Sequence, residues 1–148
     1  MQAPKIVIDT QVVMDWLVFR DPSVVPLVDA IQSGAVAWIG TAYMQAELLH
    51  VLGRGIAADR LPDLPAISEV FSRWCAVVQE PPAPAIRLVC RDPDDQIFVD
   101  LAVASQARWL ISRDRAVLAL AKRAQKLCGL TIQKPEAWIK AWTETAPT

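Results

Sequence analysis

The sequence predicts an α/β fold, a three-layer sandwich in which helices cover both faces of a mostly parallel sheet. Short, almost wholly apolar segments lie at 5–9, 35–39 and 109–112, and such segments are typical of parallel strands that are buried on both faces. Longer segments with apolar residues at helical spacing separate them. This alternation favours a parallel sheet with helices on either side. A chain of 148 residues with 53% apolar composition suits one domain over 1–148.

In the first half of the chain, the spacing of apolar residues predicts four helices. They lie at 12–19, at 22–33, from Thr41 to about Gly53, and at 64–78. Thr41 is a suitable N-cap, because its hydroxyl can accept a backbone N–H of the first turn. The run Pro-Pro-Ala-Pro at 81–84 ends the fourth helix, since proline cannot continue a helix. A short strand is then predicted at 86–89.

In the second half, two aspartates are suited to begin helices. Asp92 is a predicted N-cap with Pro93 at the first helical position, and this helix runs to Ala107. After the strand at 109–112, Asp114 is the predicted N-cap of a helix that extends to about residue 126. The remaining predicted elements are a strand at 131–133 and a final helix that begins at Pro135.

Composition limits the chemistry that this chain can perform. His50 is the single histidine, which excludes metal sites with two histidine ligands and leaves acid–base or metal chemistry to carboxylates. Three cysteines without a Cys-x-x-Cys spacing predict neither a disulfide framework nor a zinc ribbon. No apolar segment is long enough to span a membrane, and Asp9 interrupts the first one before a secretory signal could form. We therefore expect a cytoplasmic protein.

Charge is divided unevenly along the chain, although the formal net charge is only −1. Residues 1–84 carry 5 basic and 9 acidic side chains, whereas residues 85–148 carry 10 basic and 7 acidic side chains. The cations that lie beside and after Asp114 in the sequence are Arg113, Arg115, Lys122 and Arg123. These side chains either bind RNA phosphates near an acidic site or form the solvated face of a helix.

Two acidic residues follow the ends of predicted strands. Asp9 ends the first strand, and Asp114 stands two residues after Ser112, which ends the strand at 109–112. Ligands of parallel α/β sheets bind at the carboxyl ends of the strands, so these carboxylates are neighbours if the two strands are adjacent. Each residue also has a structural interpretation, because Asp9 and Asp114 are suitable helix N-caps. Glu47 has one as well, since a glutamate within a helix commonly belongs to its solvated face.

Four segments place acidic residues in apolar surroundings in a characteristic order. They are IVIDTQVVM at 6–14, ELLHVLGR at 47–54, CRDPDDQIFVDLAVA at 90–104 and WLISRD at 109–114. Together with PEAW at 135–138, these segments resemble the PIN domain nucleases, and within them the small prokaryotic branch that includes toxins of type II toxin–antitoxin systems. The resemblance extends over essentially the whole chain and implies the α/β/α sandwich of that family.

The resemblance implies a set of acidic catalytic residues at positions 9, 47, 95 and 114, which are Asp9, Glu47, Asp95 and Asp114. Asp94 is a possible alternative to Asp95. Two positions depart from the usual family pattern, because Gln11 stands where asparagine is usual and Ser112 stands where threonine is common. With Asp94, these two residues are expected to support the acidic cluster, and the longer Gln11 side chain can displace its amide from the usual position.

A cluster of carboxylates is suited to a divalent cation. Hard oxygen ligands favour Mg²⁺ or Mn²⁺, and such ions promote phosphodiester hydrolysis by activating water and stabilising the leaving oxygen. We expect Asp9, Asp95 and Asp114 to bind the metal, whereas Glu47 binds metal directly or holds the attacking water. Without metal, the carboxylates would repel one another, which predicts that Asp9→Asn raises stability while it abolishes activity.

The resemblance also implies partners. It predicts a Mg²⁺- or Mn²⁺-dependent endoribonuclease with an RNA substrate, a cognate antitoxin protein that restrains it, and a homodimeric assembly. Trp16, together with Leu17 and Phe19, is either part of the core or part of a dimer or inhibitor face. A second interpretation is a catalytically weak or inactive PIN-fold module that binds RNA or protein, and Gln11 is the feature that favours it.

Overall fold

A five-stranded parallel sheet forms the centre of the computed structural model, which describes residues 2–145. The strands are β1 (Lys5–Ile8), β2 (Ala37–Gly40), β3 (Ala76–Val77), β4 (Trp109–Ile111) and β5 (Thr131–Gln133). Their order across the sheet is β3-β2-β1-β4-β5, and every neighbouring pair is parallel. β1 and β4 are therefore adjacent, with Ile8 opposite Ile111. The predicted α/β class is confirmed, and the sheet is wholly parallel.

Helices connect the strands and account for most of the remaining chain. They are α1 (Thr10–Leu17), α2 (Val25–Gln32), α3 (Ala42–Gly53), α4 (Leu64–Trp74), α5 (Gln96–Ala104), α6 (Arg115–Leu118), α7 (Ala121–Cys128) and α8 (Pro135–Thr145). The predicted caps are present: the Thr41 hydroxyl accepts the N–H of Met44 at 3.2 Å, and Asp114 accepts the N–H of Ala116 at 2.7 Å. Within residues 2–145, no helix is long and apolar enough to cross a bilayer.

Two hydrophobic cores lie on opposite faces of the sheet, because successive strand residues point to opposite sides. Ile8 and Ile111 pack on one face against residues of α1, α2, α4 and α8. Val7 and Leu110 pack on the other face against residues of α5, α6 and α7. Helix α3 contributes side chains to both cores. The chain therefore forms the three-layer sandwich that its sequence predicts.

The predicted strand at 86–89 is wrong, and a strand forms earlier instead. The helix predicted over 64–78 ends at Trp74, and the two residues of β3 pair with the edge of β2. The N–H of Val78 donates to the carbonyl of Gly40 at 2.8 Å. A Cβ at Gly40 would lie 2.9 Å from the Cys75 sulfur, so glycine permits this close approach. The apolar residues Ala76 and Val77, which the helical pattern included, therefore form the edge strand β3 beside β2.

Three predicted helices begin or end differently in the structure. The segment at 22–33 starts with a 3₁₀ turn at Pro22–Val24 before α2, and the segment from Asp92 starts with a 3₁₀ turn at Pro93–Asp95 before α5. Proline fits both starts, because the N–H that it lacks has no intrahelical partner in the first turn of a helix. The predicted helix after Asp114 divides into α6 and α7.

Candidate metal centre

Asp9 and Ser112 meet at the carboxyl edge of the sheet because β1 and β4 are adjacent. The backbone N–H of Asp9 donates to the carbonyl of Ile111 at 3.1 Å, which continues the strand pairing by one residue. One carboxylate oxygen of Asp9 accepts the N–H of Val12 at 3.1 Å and caps α1. The Ser112 hydroxyl donates to the other oxygen. Asp9 is therefore both a helix cap and a buried acid at the sheet edge, with 4% of its surface exposed.

The environment of Asp9 disfavours its charged form. Burial raises the pKa of Asp9, and the negative charges of Asp114 and Asp15 raise it further, whereas the hydrogen bonds from Ser112 and Val12 lower it. The net direction of the pKa shift is upward. A bound cation would reverse this effect, because it stabilises the carboxylate form. Each carboxylate oxygen has a second lone pair that these hydrogen bonds leave available for a ligand.

Three further aspartates form a cluster beside Asp9, which we call the acidic triad. One carboxylate oxygen from each of Asp92, Asp95 and Asp114 lies within 4.8 Å of the corresponding oxygens of the other two. All three residues are half-buried. Asp92 also accepts the N–H of Asp94 at 3.0 Å. Capping a turn and joining a cluster are therefore compatible roles for these residues.

Asp95 is the member of the triad whose ionisation is most disfavoured. Burial and the neighbouring carboxylates of Asp114, Asp92 and Asp9 raise the pKa of Asp95 to about 7. Such an upward shift is expected where like charges share a site without a cation between them. The donors in this region are carboxylate oxygens, which are the ligands that Mg²⁺ and Mn²⁺ prefer. The residues present therefore fit a divalent cation of this class.

Glu47 and Asp94 lie at an open cleft next to the triad rather than within it. This acidic cleft has a volume of about 300 Å³ and is lined by Glu47 from α3 and by Asp94 and Asp95 from the 3₁₀ turn. Glu47 and Asp94 are both exposed. The structure thus brings Asp95 into the triad and leaves Asp94 outside it, in the lining of the cleft. Glu47 of α3 lines the same cleft.

Gln11 does not contact the acidic triad. Its amide Nε2 donates to Asp15 at 3.1 Å, and Asp15 is only 7% exposed. The other oxygen of Asp15 accepts Nε of Arg113 at 2.8 Å. Arg113 also contacts Glu136 through Nη1 at 2.6 Å. Two carboxylates of the protein therefore engage Arg113, the predicted RNA-binding residue between Ser112 and the triad member Asp114.

The other predicted RNA-binding cations are on the surface. Arg115 lies on α6, directly after Asp114, and Lys122 and Arg123 lie on α7. All three are exposed. Their position beside the helix that begins at the triad is compatible with contacts to a nucleic-acid backbone, and it is equally that of an ordinary solvated face.

Sequence reasoning missed two acidic residues of this region. The sequence predicts Asp92 as a helix cap and does not include it in the acidic cluster, although the Arg-Asp-Pro-x-Asp segment places it three residues before Asp95. Asp15 lies four residues after Gln11 in α1, a spacing that brings two side chains to one helix face. Its partner Arg113 lies 98 residues further along the chain, and no sequence signal connects the two.

Comparison with known proteins identifies one match. A family model described as a PIN domain matches residues 5–116 of the chain, which is well over half of its length. The matched range extends from β1 to the start of α6 and includes Asp9, Glu47 and all three members of the acidic triad. Searches of curated proteins and of solved structures gave no significant match.

Proposed function

Because this chain belongs to the PIN domain family, we propose that it is a metal-dependent endoribonuclease that hydrolyses RNA phosphodiester bonds. PIN domains are generally nucleases. The observation that carries the proposal is the acidic triad beside Asp9, at the edge of the sheet where ligands of such folds bind. A substrate strand would reach the site through the open cleft beside it, which is lined by Glu47, Asp94 and the triad member Asp95.

In the proposed mechanism, Asp9, Asp95 and Asp114 hold Mg²⁺ or Mn²⁺, and Asp92 adds a carboxylate to the same cluster. When bound, the metal lowers the pKa of the attacking water and neutralises charge that develops on the phosphate. Glu47, which lines the same cleft as Asp95, would hold that water and accept its proton. The mechanism thus assigns metal binding to Asp9 and the acidic triad, and proton transfer to Glu47.

Ser112 has a supporting role in this proposal. It is fully buried, its hydroxyl donates to Asp9, and its oxygen accepts the N–H of Asp114 at 3.0 Å. One hydroxyl therefore contacts two of the proposed metal ligands, which follow different strands. Asp94 and Gln11 were expected to support the cluster in the same way. Their positions favour a role for Asp94 at the cleft and for Gln11 in holding Asp15.

We further propose that RNA is held by the exposed cations Arg115, Lys122 and Arg123. The second half of the chain carries the excess of positive charge, and electrostatic attraction to phosphates is the main source of non-specific affinity for nucleic acids. Arg113 has a different role in this proposal: its ion pairs position the loop between β4 and α6. Raising the salt concentration is expected to weaken RNA binding accordingly.

The cellular role that we propose is that of a cytoplasmic toxin in a toxin–antitoxin pair. It rests on the resemblance of the sequence to the toxin-like branch of the family. A homodimer and a cognate antitoxin are part of this proposal. A groove of about 320 Å³ would offer a partly apolar and partly charged surface for such a partner; its lining includes Trp16, Leu17, Leu61, Arg60 and Asp63. Arrest of bacterial growth on expression, relieved by a neighbouring small gene, would support this role.

The proposed activity is tested with purified protein and a labelled pool of structured RNA and matched DNA. We expect RNA cleavage with Mn²⁺ or Mg²⁺, none with EDTA, and none by Asp95→Asn. Asp94→Asn makes the same change in charge one residue away, outside the triad, and should lose less activity than Asp95→Asn. If wild-type protein with bound metal cuts no better than Asp95→Asn, the proposal is wrong and a binding module without nuclease activity becomes the better interpretation.

A further inference from the structure

Tyr43 occupies an unusual position for the single tyrosine of the chain. It lies on α3 and exposes 63% of its surface, although exposed aromatic rings lose the benefit of burial. Glu47 lies four residues later, so both side chains share one face of the helix. Tyr43 consequently stands on the wall of the acidic cleft, next to the proposed proton acceptor.

The same tyrosine also lines a second cleft. We call it the proline cleft, after its walls at Pro81 and Pro82, and it has a volume of about 230 Å³. Tyr43 and Ile97 line both clefts. The two clefts therefore adjoin at these residues, and we call them together the groove. The triad member Asp95 lines one cleft, and the proline run lines the other.

The chemistry of the proline cleft differs from that of the acidic cleft. Its walls are largely apolar, and its charged member is Asp100. One carboxylate oxygen of Asp100 accepts the side-chain amide of Gln96 at 2.9 Å, and its other oxygen is left to accept from a ligand. The described residues that line this cleft include no lysine or arginine. Such a site disfavours a phosphate and suits a flat, uncharged ring that carries an amino group.

We propose that Tyr43 is a base-stacking residue, and that the proline cleft receives a nucleobase of single-stranded RNA. This inference rests on the proposed function, since the strand must reach the acidic triad with its scissile phosphate. The groove then holds a neighbouring base of the same strand on the Tyr43 ring, with Asp100 accepting from an exocyclic amino group. Only an unpaired base exposes its face and its edge in this way.

We favour this occupant over a protein segment. One of its two clefts is the proposed catalytic cleft. A substrate strand bound there would therefore lie next to the proline cleft. Exposed aromatic side chains stack bases of a single strand without reading their sequence, and Tyr43 is an exposed ring that lines both clefts. Asp100 adds a preference for bases with amino donors, which are adenine, guanine and cytosine.

The first experiment measures the binding of a short fluorescent single-stranded RNA, with Asp95→Asn as the background so that no cleavage occurs. Stacking on an aromatic residue contributes about 1–3 kcal/mol per base, so Tyr43→Ala should weaken binding about 5- to 150-fold. Tyr43→Phe keeps the ring and should remain within about twofold. Ile56→Ala is the matched control, because Ile56 is another exposed hydrophobic residue, with 52% of its surface exposed. It should leave binding unchanged.

The second experiment places one abasic nucleotide at each position of the RNA in turn. At one position, the abasic nucleotide should weaken binding to the protein that has Tyr43. It should have little effect on binding to Tyr43→Ala, because the ring on which the missing base would stack is already absent. Equal affinities of the Tyr43 and Tyr43→Ala proteins would overturn the inference. So would a change in self-association, measured by sedimentation, without a change in RNA affinity, since the groove would then bind protein.

These outcomes are separable from the test of the proposed function. Cleavage assays on wild-type protein report whether the acidic triad performs hydrolysis. The binding assay uses a variant that is inactive by design, so it reports on Tyr43 even if hydrolysis fails. Metal-dependent cleavage with an unchanged KM in Tyr43→Ala would leave the nuclease intact and refute base stacking alone.

Discussion

Replacing Asp95 by asparagine should stabilise the metal-free protein. The Asp95 carboxylate lies among Asp114, Asp92 and Asp9, and burial with these charges raises its pKa to about 7. The structure moves this expectation from Asp9, where the sequence placed it, to Asp95. Both oxygens of Asp9 accept hydrogen bonds that the amide of asparagine cannot fully replace, whereas Asp95→Asn removes a charge from the centre of the triad.

The magnitude follows from the pKa shift. A change from 3.8 to about 7 corresponds to about 4 kcal/mol of unfavourable free energy for the ionised form. Asp95 is only half-buried, so solvent screening reduces this value to about 1–2 kcal/mol. The pKa of this acid is higher in the folded state than in the unfolded state. Its contribution to stability is therefore fully present below pH 3.8 and is lost as pH rises through about 7.

Thermal unfolding in EDTA provides the assay. At pH 8, Asp95→Asn should melt roughly 3–6 °C above wild type, given the usual relation between free energy and melting temperature for a domain of this size. The difference should shrink as pH is lowered towards 4. Saturating Mn²⁺ should stabilise wild type more than the variant, because the metal binds the folded carboxylate cluster.

Asp94→Asn is the matched control for this experiment. It removes the same charge from the neighbouring residue, which is exposed and lies outside the triad, and should change stability by less than about 0.5 kcal/mol. A variant Asp95→Asn that melts at or below the wild-type temperature at pH 8 in EDTA would refute the electrostatic reasoning. Equal gains in both variants would show that net charge, rather than the cluster, is responsible.

Three further substitutions test the surroundings of the metal centre by urea unfolding. Ser112→Ala removes the hydroxyl that donates to Asp9 and should lower the free energy of unfolding by about 1–3 kcal/mol, because a buried acceptor loses its partner. Ser112→Thr keeps a hydroxyl and should lower it less. An equal loss in both variants would contradict this role. Arg113→Ala leaves Asp15 buried without its cation and should cost about 1–3 kcal/mol after discounting for partial exposure. Gln11→Asn should lose the hydrogen bond to Asp15 and about 0.5–1.5 kcal/mol, whereas a gain would show that the longer amide is misplaced.

The fold was predictable to the extent that local patterns decide it. Strand β1 and the cap at Thr41 depend on residues that are close in sequence, and both appear where the sequence places them. The strand predicted at 86–89 failed because an apolar segment can be buried without pairing. Leu88 is 1% exposed, but its carbonyl accepts the side-chain amide of Gln96 at 2.8 Å instead of a strand. The edge of β2 is occupied by β3, a choice that no local pattern reveals.

The candidate site was predictable in its acids but not in their arrangement. That Asp9 and Asp114 share one edge depends on the pairing of β1 with β4, which are about a hundred residues apart. The position of Asp95 in the triad, with Asp94 outside it, depends on the 3₁₀ turn at Pro93–Asp95. A regular helix from Asp92 would have oriented these side chains differently. Backbone geometry over three residues therefore decides which carboxylate joins the cluster.

Gln11, which stands where the family usually has asparagine, contacts Asp15 rather than the acidic triad. Asp9 takes its hydrogen bonds from Val12 and Ser112, so a displaced amide at position 11 leaves it fully partnered. Gln11 instead reaches Asp15, and the other oxygen of Asp15 holds Arg113. Because Arg113 stands between Ser112 and the triad, the longer side chain acts on the loop that carries a proposed metal ligand. The substitution therefore bears on how firmly that loop is held, and it gives no reason to expect an inactive acidic triad.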